Sequence, residues 1–531
     1  MIRSLIICFG VIILWIPEIS GQQYFSRSLD IAESGNNIYE LVANEEEILI
    51  SNLVNCPVPG PGVSCGGFHI YNHQKDSLMG EYFLSTYPKH LYPCFAPIDF
   101  GDTGDIHYCV IDVIHQLNLT ATIVSVSREG DFKETFRFSD CPGTTCFPRG
   151  LTASNEGGYL MYGHQRDTTK EQGGGSYFLL KLDEDLNVDW YNYYEVSHWS
   201  VTSILDITQL PNGNIALTGW IGGGTNRILA IVVTDSQGNE LWRRIINTNP
   251  NRQISEGLPF ASPLGEDKLL VSWLYWKPHY PEQDIWGGTY PFFYVFDNEG
   301  NEVKTNLLDQ AVDFRYINRV KPSVDGGIIG VGEFHERLRL TDEIRYRGYI
   351  FKLDDQGDLL WEKTYWDISH IPEDRDHAFN YFMDVVELPD GRIVAGGGRK
   401  DTVGPGVLNS NGWLVMLDEY GECPSEEGCE HLEIRDLTIT STTDIEVSVD
   451  MPVIEVFPNP ASIEVFVRIP EFTEGSIQVY NTHGQLVHNE LSVRHQTQID
   501  IGHWHKGLYI VHFRSNDGRL LLKEKLVVMG D

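Results

Sequence analysis

The sequence predicts an all-β fold built from repeated four-stranded units, and three observations lead there. An acidic hairpin phrase recurs: "TDSQGNELWRR" at 234–244 and "LDDQGDLLWEK" at 353–363 share an acidic turn, a glycine and a tryptophan followed by charges. Related stretches lie at 127–136, 182–194, 296–306 and 417–424, each after a short apolar run such as "YFLLKL", "LAIVV" or "GYIFKL". A second phrase alternates with the first: "NEGGYLMYGH" (155–164), "PNGNIALTGW" (211–220), "GEDKLLVSW" (265–273), "VDGGIIGVGE" (324–333) and "PDGRIVAGGG" (389–398). Both read as strand, tight turn and strand, with Gly or Asp supplying the backbone angles of the turn. Composition agrees, since 25 tyrosines, 24 phenylalanines and 51 glycines with few long apolar runs favour strands and turns over helices.

Taken in chain order, the first element is an export signal. Arg3, an apolar run from Leu5 to Ile16, Pro17 and the small residues Ser20 and Gly21 before Gln22 make residues 1–21 a signal peptide. The run is too short to span a bilayer, and nothing later resembles a membrane span. Cys8 lies inside the run, away from a cleavage site, so lipid attachment there is not expected. The mature chain is expected outside the cytoplasm.

Residues 22–429 hold the repeats. Weaker copies near 44–53 and 104–113 bring the units to seven, at periods of roughly fifty to sixty-five residues. One four-stranded sheet cannot bury both faces, whereas sheets packed in a ring bury each face on a neighbour, so the expectation is a seven-bladed β-propeller. Glycine-rich stretches suit crowded inner strands, and Trp190, Trp242 and Trp361 are expected to pack between blades. The seventh unit stops at "LDEYGECPSEEGC", where Pro424 breaks its outer strand. Residues 22–31 are expected to replace that strand by pairing with 412–418, because an open edge invites aggregation.

Eight cysteines follow the signal, and their spacing favours the local bridges Cys56 to Cys65, Cys94 to Cys109, Cys141 to Cys146 and Cys423 to Cys429. No pair has zinc spacing, so no metal is assigned to them. A net charge of −36 leaves no basic surface for nucleic acid or anionic lipid. A cation, a neutral sugar or a protein is an easier partner. Past a Thr-, Ser- and Asp-rich linker at 430–452, which has room for a strand, residues 453–531 alternate apolar and polar positions over short strands, the pattern of a small Ig-like β-sandwich.

Two resemblances attach to these patterns. Over about residues 25–425, repeats of the form P-D-G-x-I-x-x-x-G followed by W-L-x-x-L-D-x-x-G-x-x-x-W resemble those of secreted bacterial β-propeller proteins. Blades of quinone-dependent dehydrogenases are partly similar, but Gln237 and Gln356 stand where their turn has threonine. The end of the chain resembles the type A C-terminal sorting domain of the type IX secretion system. Matching positions are Pro458, Asn459, Pro460, Gly484, Gly507, Tyr509, Lys523 and Lys525. That resemblance implies the type IX machinery as partner, passage through periplasm and outer membrane to the cell surface or beyond, and removal of the tail.

For the body, the leading expectation is a binding or structural module for a glycan or protein, and the alternative is a carbohydrate-active enzyme, a hydrolase or lyase. The stretch 272–294 concentrates Trp273, Tyr275, Trp276, Tyr280, Trp286 and Tyr290, whose ring faces could stack on sugars. His198 and Trp199 form a weaker candidate loop. Asp183, Asp185, Asn187 and Asp189 alternate as calcium ligands often do, but no turn glycine or following bidentate glutamate completes the loop, so no cofactor is assigned beyond that possibility. No nucleophile, zinc-hydrolase or Cys-His pattern appears, and no catalytic residue is nominated. His503 and His505 lie in the tail and read as a loop.

Overall fold

The computed structural model describes strands and tight turns within residues 24–438 and 454–529. Residues 1–23, 30–36, 56–63, 84–90, 247–258, 278–287, 370–378, 439–453 and several shorter connections lie outside the described residues. The export signal and the loop holding His198 and Trp199 therefore fall outside them.

Strand β1 (Phe25–Leu29) comes first. Strands β2 to β5 (Asn37–Ala43, Glu47–Asn55, Ser64–Asn72, Ser77–Phe83) make one sheet in sequence order. Strands β6 to β10 (Leu91–Pro93, Asp99–Phe100, Ile106–His115, Asn118–Val126, Phe132–Phe138) make a second. Three four-stranded sheets follow, each again in order: β11 to β14 (Thr145–Ala153, Tyr159–Arg166, Gly175–Leu182, Val188–Ser197), β15 to β18 (Thr202–Gln209, Ile215–Ile221, Ile228–Thr234, Glu240–Ile246) and β19 to β22 (Phe260–Leu264, Lys268–Lys277, Gly288–Asp297, Glu302–Leu307). Strands β23 to β26 (Phe314–Pro322, Ile328–Arg337, Ile344–Leu353, Leu359–Asp367) and β27 to β29 (Phe379–Glu387, Ile393–Gly404, Val407–Leu417) then join through one residue pair, Tyr346 opposite Phe379.

Where their side chains are described, the middle strands are buried on both faces, and that is why those strands read as unbroken apolar runs. In "ILAIVVT" of β17 every residue but the first is buried, whereas "ELWRRII" of β18 keeps only Trp242 inside. The cores lie between sheets. Leu160 and Tyr177 meet Ile204 and Leu217, Leu229 and Ile231 meet Leu269 and Trp273, and Phe293 meets Val320 and Phe351. The series closes on itself, since Val394, Leu414 and Met416 pack with Ile38, Leu41 and Ile50 from the first sheet.

The recurrent acidic phrase is a clamp between consecutive sheets. Within the turn, Asp235 Oδ1 accepts from the N–H of Gln237 at 3.0 Å and of Asn239 at 2.8 Å, and Gly238 takes φ +76°. Trp190 of the preceding sheet lies over that glycine: a methyl group placed there would stand 2.7 Å from Cζ3 of the ring. The Tyr194 hydroxyl then donates to the Gly238 carbonyl at 2.8 Å. Trp242 covers Gly300 and Trp361 covers Gly421 in the same way, with Tyr365 donating to the Gly421 carbonyl at 2.8 Å. Where the phrase has lysine instead, Lys304 donates to the Gln356 carbonyl at 3.0 Å and Asn306 to that of Gly357 at 2.7 Å.

Strand β1 lies antiparallel to β29, Phe25 opposite Met416 and Leu29 opposite Gly412, and Trp413 Nε1 donates to the Ser26 hydroxyl at 3.0 Å. Phe25 is buried against Tyr71 of the first sheet. Beyond β29, Cys423 and Cys429 are bridged. The segment 430–452, read as a linker with room for a strand, opens with one, β30 (Leu432–Asp436), laid antiparallel on β26. Charges fasten it: Arg347 bridges Glu336 at 2.9 Å and Glu433 at 2.8 Å, and Arg435 reaches Glu336 at 2.6 Å.

The tail has its own core under two sheets, one in the order β31 (Glu455–Phe457), β32 (Glu464–Arg468), β35 (Gln496–Asp500), the other β34 (Leu486–Arg494), β33 (Glu474–Asn481), β36 (Gly507–Ser515), β37 (Leu521–Val528). Val465, Val467 and Ile499 of one meet Ile477, Val511 and Phe513 of the other. Among the described residues no helix is long and apolar enough to cross a membrane.

Candidate functional site

The first strands of the sheets touch in succession, β15 with β19, β19 with β23, β23 with β27 and β27 with β2. Five first strands carry a bulge at the same place, between Ile38 and Glu40, Pro148 and Gly150, Ile204 and Asp206, Ile317 and Arg319, and Phe382 and Asp384. A bulge turns the side chains that follow it. The residues after the five bulges are Glu40, Gly150, Asp206, Arg319 and Asp384, so four of five are charged.

These charges meet and largely satisfy one another. Asp384, fully buried, accepts from the Leu41 N–H at 2.7 Å and from Lys321 Nζ at 2.6 Å. Lys321 also donates to the Leu41 carbonyl at 2.9 Å. Asp206 accepts from the Ala261 N–H at 3.0 Å and faces Arg319 Nη1 at 3.5 Å. Each aspartate thus ties its own sheet to the next one. Arg319 Nε stands 3.7 Å from Asp384, and its guanidinium lies 5.0 Å over the Phe260 ring. The fifth position is filled differently: Gly150 has no side chain, and the Tyr162 ring occupies the space a methyl group would need.

Burial and sign set the electrostatics. Burial pushes Glu40 up to about 7, with Asp384 and Asp206 adding to the rise and Arg319 and Lys321 opposing it. Burial likewise raises Asp206 to about 6 against the pull of Arg319. Burial works against the charge of Arg319, but Asp384, Asp206 and Glu40 together hold it firmly protonated. Glu40 is only 7% exposed. A cavity of about 180 Å³ is lined by Glu40, Thr152, Tyr162, Asp206, Thr208, Arg319 and Lys321 with neighbouring apolar groups.

This layer went unseen in the sequence, where "VTSILDITQL" and "YFMDVVEL" read as apolar strands. The signal was a charge four positions before the residue opening each turn, namely Glu40 before Asn44, Asp206 before Leu210, Arg319 before Ser323 and Asp384 before Leu388.

A second cluster lies at the opposite end of the strands from the hairpin turns. Tyr316, His335, Tyr346 and Phe379 form a row with ring centroids 4.6, 4.4 and 4.2 Å apart, and His335 Nε2 meets Glu333 at 3.0 Å. All four rings are half-buried.

The sequence-predicted aromatic group is not brought together as one surface. Trp273 is 2% exposed and belongs to the core between two sheets, so its ring offers no face to a ligand. Tyr275 stands opposite Tyr290, and Trp276 opposite Thr289, in the β20 and β21 ladder. Tyr280 and Trp286 lie outside the described residues. At the acidic stretch, Asp183 accepts from the Asn187 N–H at 2.7 Å, so its carboxylate serves the turn, and hydrogen bonds from Asn187 hold it below the usual range. No group of three or more metal-ligating side chains occurs among the described residues. Of the remaining cysteines, Cys146 is disulfide-bonded, while Cys56, Cys94 and Cys141 lie outside the described residues.

In the tail, the expected sorting positions hold its last strand. Asn459 Nδ2 donates to the Lys525 carbonyl at 2.6 Å and its Oδ1 accepts from the Val527 N–H at 2.9 Å. The Pro458 and Pro460 peptides on either side are cis. Tyr509 is buried, its hydroxyl donating to the His505 carbonyl at 2.7 Å, and Gly507 opens β36 beside it. Lys523 and Lys525 lie on β37, whereas Gly484 is outside the described residues.

The chain is therefore an all-β protein of small, mostly four-stranded sheets with a separate two-sheet tail. Residues 455–529 of that tail match the secretion system C-terminal sorting domain. The protein is one of those exported by the type IX system to the cell surface or the extracellular space. No curated protein matches the sequence. Similar solved structures include a Penicillium chrysogenum α-L-arabinanase complexed with arabinobiose (13% identity, 63% of this chain and 94% of that one, TM-score 0.35). A polysaccharide lyase (10%, 76% and 93%, TM-score 0.43) and a Fusarium graminearum α-L-arabinofuranosidase (12%, 76% and 95%, TM-score 0.33) are others. At these scores none of the three bears on what this chain does.

Proposed function

We propose that the body is a seven-bladed β-propeller that serves, once exported, as a binding module for a glycan or protein. In this reading β23 to β26 and β27 to β29 with β1 are separate blades, and the ring is closed by the strand that follows an N-terminal export signal. The tail is an Ig-like sandwich, and local bridges join the remaining cysteine neighbours.

The observation that carries the binding reading is the half-buried row of Tyr316, His335, Tyr346 and Phe379 at the end where the long connections run. Aromatic faces beside a polar group such as Glu333 suit a sugar ring or an aromatic-rich protein surface. Tyr275, Trp276, Tyr280, Trp286 and Tyr290 remain further candidates read from the sequence. The central ion pairs, spent on each other and on backbone N–H groups, act as the hub that joins blades.

One observation favours the alternative, a carbohydrate-active enzyme: Glu40 lines a cavity with its carboxyl held at about 7, where a general acid operates well. Incubating the secreted protein with a polysaccharide panel separates the two. Retention on immobilised glycan without new chain ends supports the module, and turnover that Glu40→Gln abolishes supports the enzyme.

A further inference from the structure

The cavity among the first strands changes character along its depth. Glu40 and Asp206 at one end are buried, Thr152, Thr208 and Lys321 are half-buried, and Pro322 is exposed at the end that bears the hairpin turns. It therefore has a charged floor and a polar mouth, and its volume of about 180 Å³ holds about six waters or one small solute.

We propose that this cavity is a binding site for a small neutral polyol, such as a single terminal sugar unit, with Glu40 and Thr208 meeting the ligand's hydroxyls. The proposal deepens the glycan side of the binding reading, yet it stands on the cavity and not on the aromatic row at the other end.

Three features select that chemistry. The charges in the floor are already matched: Asp384 is held by Lys321 and the Leu41 N–H, and Asp206 by Arg319 and the Ala261 N–H. A ligand carrying net charge would have to break one of these pairs, whereas a hydroxyl would not. Glu40 is 7% exposed and lines the cavity, so its carboxyl is cut off from bulk water and gains from a polar group placed there. A sugar hydroxyl both donates and accepts, so it satisfies that carboxyl as an alcohol satisfies an acid. Val320, Ile207 and Pro322 supply apolar wall for the carbon face of a ring.

Proton binding is linked to occupancy. The groups facing Glu40 are Arg319 and Lys321 from β23, Asp206 from β15 and Asp384 from β27. A ligand that displaces water deepens the burial of the Glu40 carboxyl and favours its neutral form.

The test is calorimetric titration of the full chain with glucose, galactose, mannose and arabinose, with glucuronate and glucosamine as charged controls, at about pH 5.5 and about pH 8.5. At least one neutral sugar is expected to bind saturably at millimolar concentration and more weakly at the higher pH. Glu40→Gln, neutral at both, should lose most of that difference, the remainder being the titration of Asp206 at about 6. Thr208→Val and Glu40→Leu should each weaken binding about tenfold. If Glu40→Leu fails to fold, the half-buried Thr208→Val carries the comparison. Absence of saturable binding by any neutral sugar, binding of the charged controls alone, or full affinity in Thr208→Val overturns the proposal. Retention on polysaccharide without any such uptake overturns the central cavity alone and leaves the module reading standing.

Discussion

A tryptophan resting on a glycine decides how neighbouring sheets meet. At Gly238 three constraints coincide, a left-handed backbone, the Asn192 amide and the Trp190 ring overhead, whereas Gly265 has φ +63° and nothing within 4 Å of where a methyl group would go. Gly265→Ala should therefore cost only the backbone penalty, about 1 kcal/mol, and Gly238→Ala about 2 to 4 kcal/mol, since the ring must also move. Urea unfolding of both variants measures the difference, and equal losses would remove the tryptophan from the account. Glu40 gives a second residue-level expectation. Burial holds it at about 7, above the ordinary 4.5, so the folded state holds the proton more tightly than the unfolded one. Stability from this group is fully present below about pH 4.5 and is lost as pH rises through about 7. Glu40→Gln should match the wild type in acid and exceed it near pH 8, by on the order of 2 to 3 kcal/mol. Denaturant midpoints across pH measure this, and a parallel pair of curves would contradict it.

Among the elements, hairpins were legible because their turns are spelled by Asp and Gly, and middle strands because burial on both faces leaves an unbroken apolar run. The truncated last unit and the leftover strand around Phe25 likewise point to each other in the sequence. The central charges were not legible. A single Asp in an apolar strand acquires meaning only when bulges on five separate strands aim their next residues at one place, and nothing local announces that convergence. The aromatic row was hidden for a similar reason, since Tyr316, His335, Tyr346 and Phe379 come from four strands, while the crowded stretch 272–294 put Trp273 into a core. A strand within 430–452 was legible, but its place on β26 was not, because its fastening charges, Arg347 and Glu336, lie far away in sequence. The element that bears most weight is β1. Phe25→Ala should cost about 3 kcal/mol through the cavity it leaves. Removing residues 23–31 should lower the melting temperature far more or prevent folding, while removing 440–450 should leave it unchanged. Equal melting of the two truncations would refute closure by β1.

At the scale of the whole molecule, function divides between a body and a tail that never share a core. The tail's residues 454–529 keep their own buried cluster, and the body's last described strand, β30, ends at Asp436, so export can be separated from the role proposed for the body by cutting between them. A net charge of −36 suits a protein that works outside the cell without adhering to anionic lipid. The most direct measurement is cell fractionation, in a host carrying the type IX system, of the full chain beside one lacking residues 453–531, with the melting temperature of each. The full chain should appear at the surface or in the medium, and the truncated chain should remain in the periplasm with the body's melting temperature unchanged. A truncated chain found outside the cell, or one that no longer folds, would contradict the division of labour.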